Sequence, residues 1–531
     1  MAAFGQAKLA ACLETHLQAS LPIAFQKLRS IRSANDPSFG ARRSPLVPRR
    51  FFLPLRATRY ALQRRRRFSS MIEPVGFPVG FYIALALLGV AGLVAWNLRK
   101  TGTGIPMGAV LATVGAWYFG DALYNDYQRY VRDIGPQYLE GAWWQVCLFI
   151  LAFMLFVPTV HRIVNRKLLG ERSHFVDLME HGGISSPEFQ RRLDVAMGLV
   201  FAVWVGLMLI ALIRTNFDFL GLFAPYLSGR AYPWARERLG GPLDALISFA
   251  AYLQIMLTSV FGIVAAVAKN PRTRMLATVC FALSFPIYML GRARNVMIAT
   301  FLPGLLAWVF LRVRGGVFLK VGILVCAFLV IEVWMKFVID TRSGSDVAVV
   351  FREIGVGGVI ERVEDIDKKH EGLNMLGELA WINSFIDKGT FAINYGERYF
   401  AELVNPIPRG LWKDKPLIAI DYAIARGQYF HKAGEAQGGV GATISTGMIG
   451  QGVTNFGTFF GVLAAALLMS FWVAILARQD LKGEKTGRML LFFIGLVLTF
   501  NLGRDITLIT LYPFLFGYLM LTIWGQVSGE K

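Results

Sequence analysis

The sequence predicts an all-α polytopic membrane protein of about eleven transmembrane helices (10–12), with one large segment outside the membrane late in the chain. Three observations predict it. Of the 531 residues, 55% are hydrophobic, and the mean hydropathy of +0.49 is too apolar for an ordinary soluble chain. The apolar residues fall in blocks near the roughly 20 residues that a helix needs to cross a bilayer core. The 54 glycines suit helices that approach closely in lipid, and the short alternating segments of a transmembrane barrel do not occur.

In chain order the spanning blocks are 79–97, 104–121, 142–160, 195–213, 242–268, 275–291, 295–312, 318–339, 446–477, 489–501 and 506–524. The second is short, and only "NLGRD" separates the tenth from the eleventh. Their interiors are nearly free of charge: Asp244 lies near the start of the fifth block, and Glu332 and Lys336 lie toward the end of the eighth. No internal repeat is visible, so a repeat-built transporter architecture finds no support. Basic connections at Arg99/Lys100, 161–167, 269–274, 312–320 and 478–488 all fall on one side, which the positive-inside preference makes cytoplasmic. The opposite side receives 214–241, "GRARN" at 291–295, the long segment 340–445 and "NLGRD" at 501–505. The final residues 526–531 form a short cytoplasmic tail.

The net charge of +20 is concentrated at the start of the chain. Residues 1–70 hold 14 Lys/Arg against 2 Asp/Glu, leaving about +8 for the membrane body, where loop charge explains it. Nucleic acid is therefore not an expected partner. The leader includes "RRRRF" at 64–68 and conflicts with an outside start for the first helix. A true start at Met71 resolves the conflict; an Arg-rich transit peptide, or a block that does not cross, are the alternatives. Cys147, Cys280 and Cys326 lie in apolar runs and Cys12 in the leader, with no metal-ligand spacing, so neither a structural metal nor a cofactor is expected. His174 and His181 in the polar loop 165–193 have no third ligand in reach.

The long segment is large enough to hold a site. Residues 345–371 alternate in charge and read as a solvated face. Helical spacing of Met375, Leu379, Ile382, Phe385 and Ile386 predicts an amphipathic helix over 374–389, lying on the membrane or on the bundle. "NYGERYFAELV" at 394–404 reads as a short helix that leads into "NPIPRGLWKDKP" at 405–416. There Pro406, Pro408 and Pro416 fix the backbone, so that Arg409, Lys413 and Lys415 are held in one direction. Arg409 offers a planar fork of donors suited to phosphate, the lysines offer compact charges, and Trp412 suits the interfacial level. A plain turn or a contact with lipid headgroups accounts for the same residues. Arg292 and Arg294 in "GRARN", with Arg504 and Asp505 in "NLGRD", add polar clusters on the same face.

"YGERYFAELVNPIPRGLWKDKP" resembles the Ile-Pro-Arg…Leu-Trp…Lys-Pro pattern of bacterial oligosaccharide repeat-unit polymerases, the Wzy-type O-antigen polymerase family. "STGMIGQGVTNFGTFFGVL" at 445–463 is similar to that family's Asn-Phe-Gly segment, although an acidic residue expected before Asn-Phe-Gly is missing. The resemblance covers 395–463 well and 285–515 loosely. It implies a GT-C-like architecture in a bacterial inner membrane, with the long segment in the periplasm. It also implies metal-independent transfer of a glycan from undecaprenyl pyrophosphate to a hydroxyl on a second lipid-linked repeat unit. Donor, acceptor and membrane lipid are then the partners, with a chain-length regulator as a possible further one. Cations aimed at the leaving phosphate favour the transition state. That role falls to Arg409 and Arg504, with Arg292, Arg294, Arg398, Lys413, Lys415, Trp412 and Asn455 as substrate contacts. The acceptor needs a base, for which Glu435 and Glu397 rank ahead of His431 and Asp505. An O-antigen ligase would use the same donor and the same outer arginines. A repeat-unit flippase would instead need ionisable residues at mid-helix depth.

Overall fold

A computed structural model of the chain describes residues 76–166, 170–180, 186–223, 232–234, 244–289, 294–340, 374–405, 407, 411–412, 415–416, 420–427, 429–430, 439–440, 444–481 and 486–527. Residues 74–531 form one compact unit. The leader 1–70 and the charged stretch 345–371 lie outside the described residues.

Among the described residues the regular structure is helical apart from one two-residue antiparallel ladder and an isolated bridge between Thr101 and Arg172. Its first half comprises α1 (Val79–Asn97), α2 (Gly104–Val114), a π-helical turn (Gly115–Phe119), α3 (Gly120–Tyr124), α4 (Tyr127–Asp133), α5 (Pro136–Asn165), α6 (His174–Glu180), α7 (Pro187–Arg214), α8 (Phe219–Phe223) and α9 (Asp244–Val267). There follow α10 (Pro271–Met289), α11 (Arg294–Leu311), α12 (Val317–Asp340), α13 (Met375–Asp387), α14 (Glu397–Val404) and α15 (Ile420–Ala425). Strands β1 (Tyr429–Phe430) and β2 (Gly439–Val440) pair before α16 (Gly447–Phe456), α17 (Phe460–Leu481), α18 (Thr486–Arg504) and α19 (Leu508–Val527).

Local chemistry sets the helix starts. The Ser186 hydroxyl accepts the Phe189 N–H, Pro187 occupies the first turn and Glu188 complements the helix dipole, so α7 begins there. α5 begins with Pro136 after Gly135, whose φ of 112° is one that side chains resist. Among the described residues, six helices are long and apolar enough to cross a membrane: α1, α5, α7, residues 246–267 of α9, α17 and residues 487–504 of α18. By that measure the chain is an all-α multi-pass membrane protein. Outward residues such as Leu93, Leu155, Ile213 and Phe318 are apolar and exposed, as lipid contact requires.

Two expected spans take a different form. The block at 104–121 is α2, the π turn and α3 in succession, continuing to Tyr124. The block at 446–477 is two helices broken at Gly457, whose φ of +82° ends α16. The break lets α16 fold back on α17, with Gly452 against Gly461. A Cβ on Gly452 would lie 2.1 Å from the Gly461 carbonyl oxygen. The residues of α16 from Gly447 to Asn455 are buried in protein, where a broken helix keeps its polar backbone satisfied.

The bundle has two chemically different ends. At one end the Ser173 N–H donates to the Lys100 carbonyl (2.8 Å), the Phe175 N–H to Asp480 (2.8 Å) and the Lys269 N–H to Gln190 (2.8 Å), while Arg312 donates to the carbonyls of Ala266 and Ala268 (both 3.0 Å). The described basic connections gather here. The other end receives α13 to α16. The Gly377 N–H donates to Asp121 (2.9 Å), Gln145 and Asn383 exchange amide bonds (3.0 and 2.9 Å), and the Ile449 N–H donates to the Tyr118 hydroxyl (3.0 Å). α13, expected to lie on the membrane or on the bundle, lies on the bundle, with Leu376, Leu379, Ala380 and Ile382 fully buried.

Candidate functional site

α14 is amphipathic in the inverse sense. Phe400 and Leu403 are 49% and 65% exposed, whereas Arg398 and Glu402 are 4% and 5% exposed. In water this would be costly; beside lipid, the apolar face belongs outside and the charges belong within the protein. Arg398 and Glu402 are four residues apart and so share one helical face. Trp412 packs edge-on to Phe400, with centroids 6.2 Å apart, on the outward side.

The inner face of α14 is held by α16. The Tyr399 N–H donates to Asn455 Oδ1 (3.2 Å), and Asn455 Nδ2 donates to the Gln451 carbonyl (2.7 Å). Just ahead of α14, the Asn394 N–H donates to the Thr454 carbonyl (3.2 Å). Gln451 in turn clamps residue 506, donating to the Ile506 carbonyl (3.0 Å) and accepting its N–H (2.7 Å). Asp505 accepts the Thr446 N–H (3.1 Å) and hydroxyl (3.3 Å), and Arg504 Nε donates to the Ser445 hydroxyl (2.7 Å). The glycine-rich segment thus joins α14 to the turn between α18 and α19.

What this frame encloses is unsatisfied. Among the described residues, Arg398 Nε and Nη1, the Tyr399 hydroxyl, Glu402 Oε2 and Asn394 Oδ1 are buried here without a hydrogen-bond partner. Buried polar atoms are nearly always paired, so such a cluster marks a place for polar groups from elsewhere. Burial, followed by the charge of Asp505, pushes the Glu402 carboxyl up to about 7, and Arg398 opposes the shift. A carboxyl of that acidity exchanges protons near neutral pH, and a fixed guanidinium with unfilled donors receives an anion.

A second polar cluster nearby is closed. Glu378 accepts two bonds from Arg426 (both 3.1 Å) and one from the Tyr422 hydroxyl, and Arg426 lies over the Trp381 ring at 4.8 Å. This group ties α13 to α15.

The structure places the sequence candidates unequally. Arg398, Asn455 and Asp505 come together around α14, while Arg504 bonds the Ser445 hydroxyl beside the Asp505–Thr446 contact. Glu397 is exposed at the start of α14, away from its inner face. Lys415 is turned inward rather than offered to a phosphate: its Nζ donates to the carbonyls of Asn405 (2.8 Å) and Ile407 (2.9 Å), bracing the loop. Asn455 positions the Tyr399 backbone rather than facing outward. Arg292, Arg409, Lys413, His431 and Glu435 lie outside the described residues, as does the side chain of Arg294. Glu402 is the residue that sequence reasoning missed. Its signal was the pairing of Arg398, Ala401 and Glu402 on one face, with Phe400 and Leu403 opposite. Compared with family models, curated proteins and solved structures, the chain matches none of them.

Proposed function

We propose that this protein is a membrane glycosyltransferase. It joins undecaprenyl-pyrophosphate-linked oligosaccharide repeat units at the periplasmic face of a bacterial inner membrane. One observation carries the reading: Arg398, buried with unfilled donors, shares a polar site with Glu402 and Asp505 at the end of the bundle opposite the basic connections. A cationic site on that side lacks the positive-inside explanation. It suits a diphosphate presented from the lipid, and the acidic group beside it suits a sugar hydroxyl.

In this reading α2 with α3, α10, α11, α12 and α19 cross as well as the six long apolar helices, which makes eleven passes. Arg504 and Arg409 stabilise the charge that grows on the departing phosphate, and Arg398 holds the carrier. Repeat-unit sugars reach the site from the periplasm, while the carrier tail stays beside the apolar face of α14.

Surface glycans of a strain deleted for this protein test the reading. Single-repeat products indicate polymerisation. Loss of all long chains from lipid A, with polymer accumulating on its carrier, indicates ligation instead. Unchanged glycans overturn both.

A further inference from the structure

Besides the exposed Glu397, four carboxylates among the described residues lie near the candidate site, and the structure separates them. Glu378 is occupied by Arg426 and Tyr422, and Asp505 by Thr446. Asp421 lies within 3.5 Å of the Asn394 amide. Glu402 alone of the four has a buried oxygen, Oε2, left without a hydrogen-bond partner among the described residues. It is 5% exposed, and leaving such an oxygen empty costs stability. Arg398, one turn earlier on the same face, leaves two donors equally unfilled, and the Tyr399 hydroxyl is a third. Among the described residues, Arg398 from α14 and Asp505 from the turn after α18 act on Glu402, Tyr512 of α19 feels its charge, and Tyr399 of α14 shares Arg398 and Asp505 with it.

Resting on the glycosyl-transfer reading, we infer that Glu402 is the general base of the transfer, taking the proton of the acceptor sugar hydroxyl on its Oε2. The acceptor oxygen forms a bond to the anomeric carbon of the donor. The bond from that carbon to the pyrophosphate oxygen breaks, and its electron pair stays on the departing phosphate. The hydroxyl proton passes to Glu402 and then to water, so the carrier leaves as undecaprenyl pyrophosphate and no oxidant or metal is consumed. Arg398 keeps Glu402 ionised against its burial, and Asp505 tunes it the other way. A base of this acidity is half ionised near neutrality, where general-base catalysis is most effective.

The test uses the purified full-length protein in detergent with lipid-linked repeat units extracted from the producing strain. Glu402→Gln, which preserves shape, is expected to slow elongation at least about a hundredfold. It should still bind undecaprenyl pyrophosphate within about threefold of the wild type, since the base does not hold the phosphate. The wild-type rate should fall as pH drops through about 7, where the base becomes protonated. A smaller loss in Glu402→Gln overturns the role of Glu402 and leaves the polymerase reading standing. No elongation by the wild type overturns both. Should the variant not accumulate, the wild-type profile decides: an acid limb supports the base, and a rate flat from roughly pH 5.5 to 8 overturns it.

Discussion

Glu378 and Glu402 are both buried carboxylates, and their surroundings give them opposite tasks. Glu378 is satisfied by a two-point Arg426 contact and a tyrosine hydroxyl, so its role is cohesion. Glu378→Ala leaves Arg426, which is largely buried, facing an emptied site, and should cost about 3–5 kcal/mol. A fall in the unfolding temperature of the detergent-solubilised protein, with Glu397→Ala as an exposed control, checks this. Glu402 is left open, and its stability signature has the reverse sign from an ordinary paired acid. Its folded acidity is raised from 4.5 to about 7, so the folded state holds a proton that the unfolded chain has released. The associated stability is complete below about pH 4.5 and is lost as pH rises through about 7, on the order of 3 kcal/mol in all. Thermal unfolding between pH 5 and 8 should therefore slope downward in the wild type and flatten in Glu402→Gln; parallel slopes refute it. Arg504, at the C-terminal end of α18, has its guanidinium held by the Ser445 hydroxyl. Arg504→Ala should lower chain growth roughly a hundredfold with normal membrane abundance, read from glycan banding.

At the scale of elements, the α16–α17 break and the inverse α14 together make the site. The break depends on Gly452 and Gly461, whose backbones meet too closely for any side chain. Gly452→Ala forces α16 away from α17 and should destabilise the protein by about 2 kcal/mol or more. Gly92→Ala in α1, where a Cβ meets nothing within 4 Å, should be neutral or slightly stabilising. Equal unfolding temperatures for the two variants would show that the close approach is not needed. The apolar run over 446–477 concealed this break, because hydropathy counts carbon and cannot see where a chain reverses. Gly457 was the local sign. For α14 the alternation of Arg398 and Glu402 with Phe400 and Leu403 was visible as amphipathic, but the direction was not. Which face turns inward depends on whether the surroundings are water or lipid.

For the whole molecule, the separation of basic connections from the α13–α16 assembly predicts which end faces the cytoplasm. In a background with the native cysteines replaced, Tyr395→Cys at the exposed edge of the site should react with a membrane-impermeant maleimide in intact cells. Arg478→Cys, exposed at the end of α17, should react only after permeabilisation. The opposite pattern would place the site where no periplasmic glycan reaches it. The amino-acid order by itself determined the membrane class, the position of most spans and the sidedness of charge. These follow from stretches of about 20 residues whose transfer into lipid depends only on their own composition. Tertiary structure alone decided that Glu402 stands empty while Glu378 is filled, and that Arg398 and Asp505 act on the same carboxyl. Those outcomes join Glu378 to residues 44 and 48 positions on, and Glu402 to a turn about a hundred residues later, and a buried charge takes its character from the neighbours that the fold brings to it.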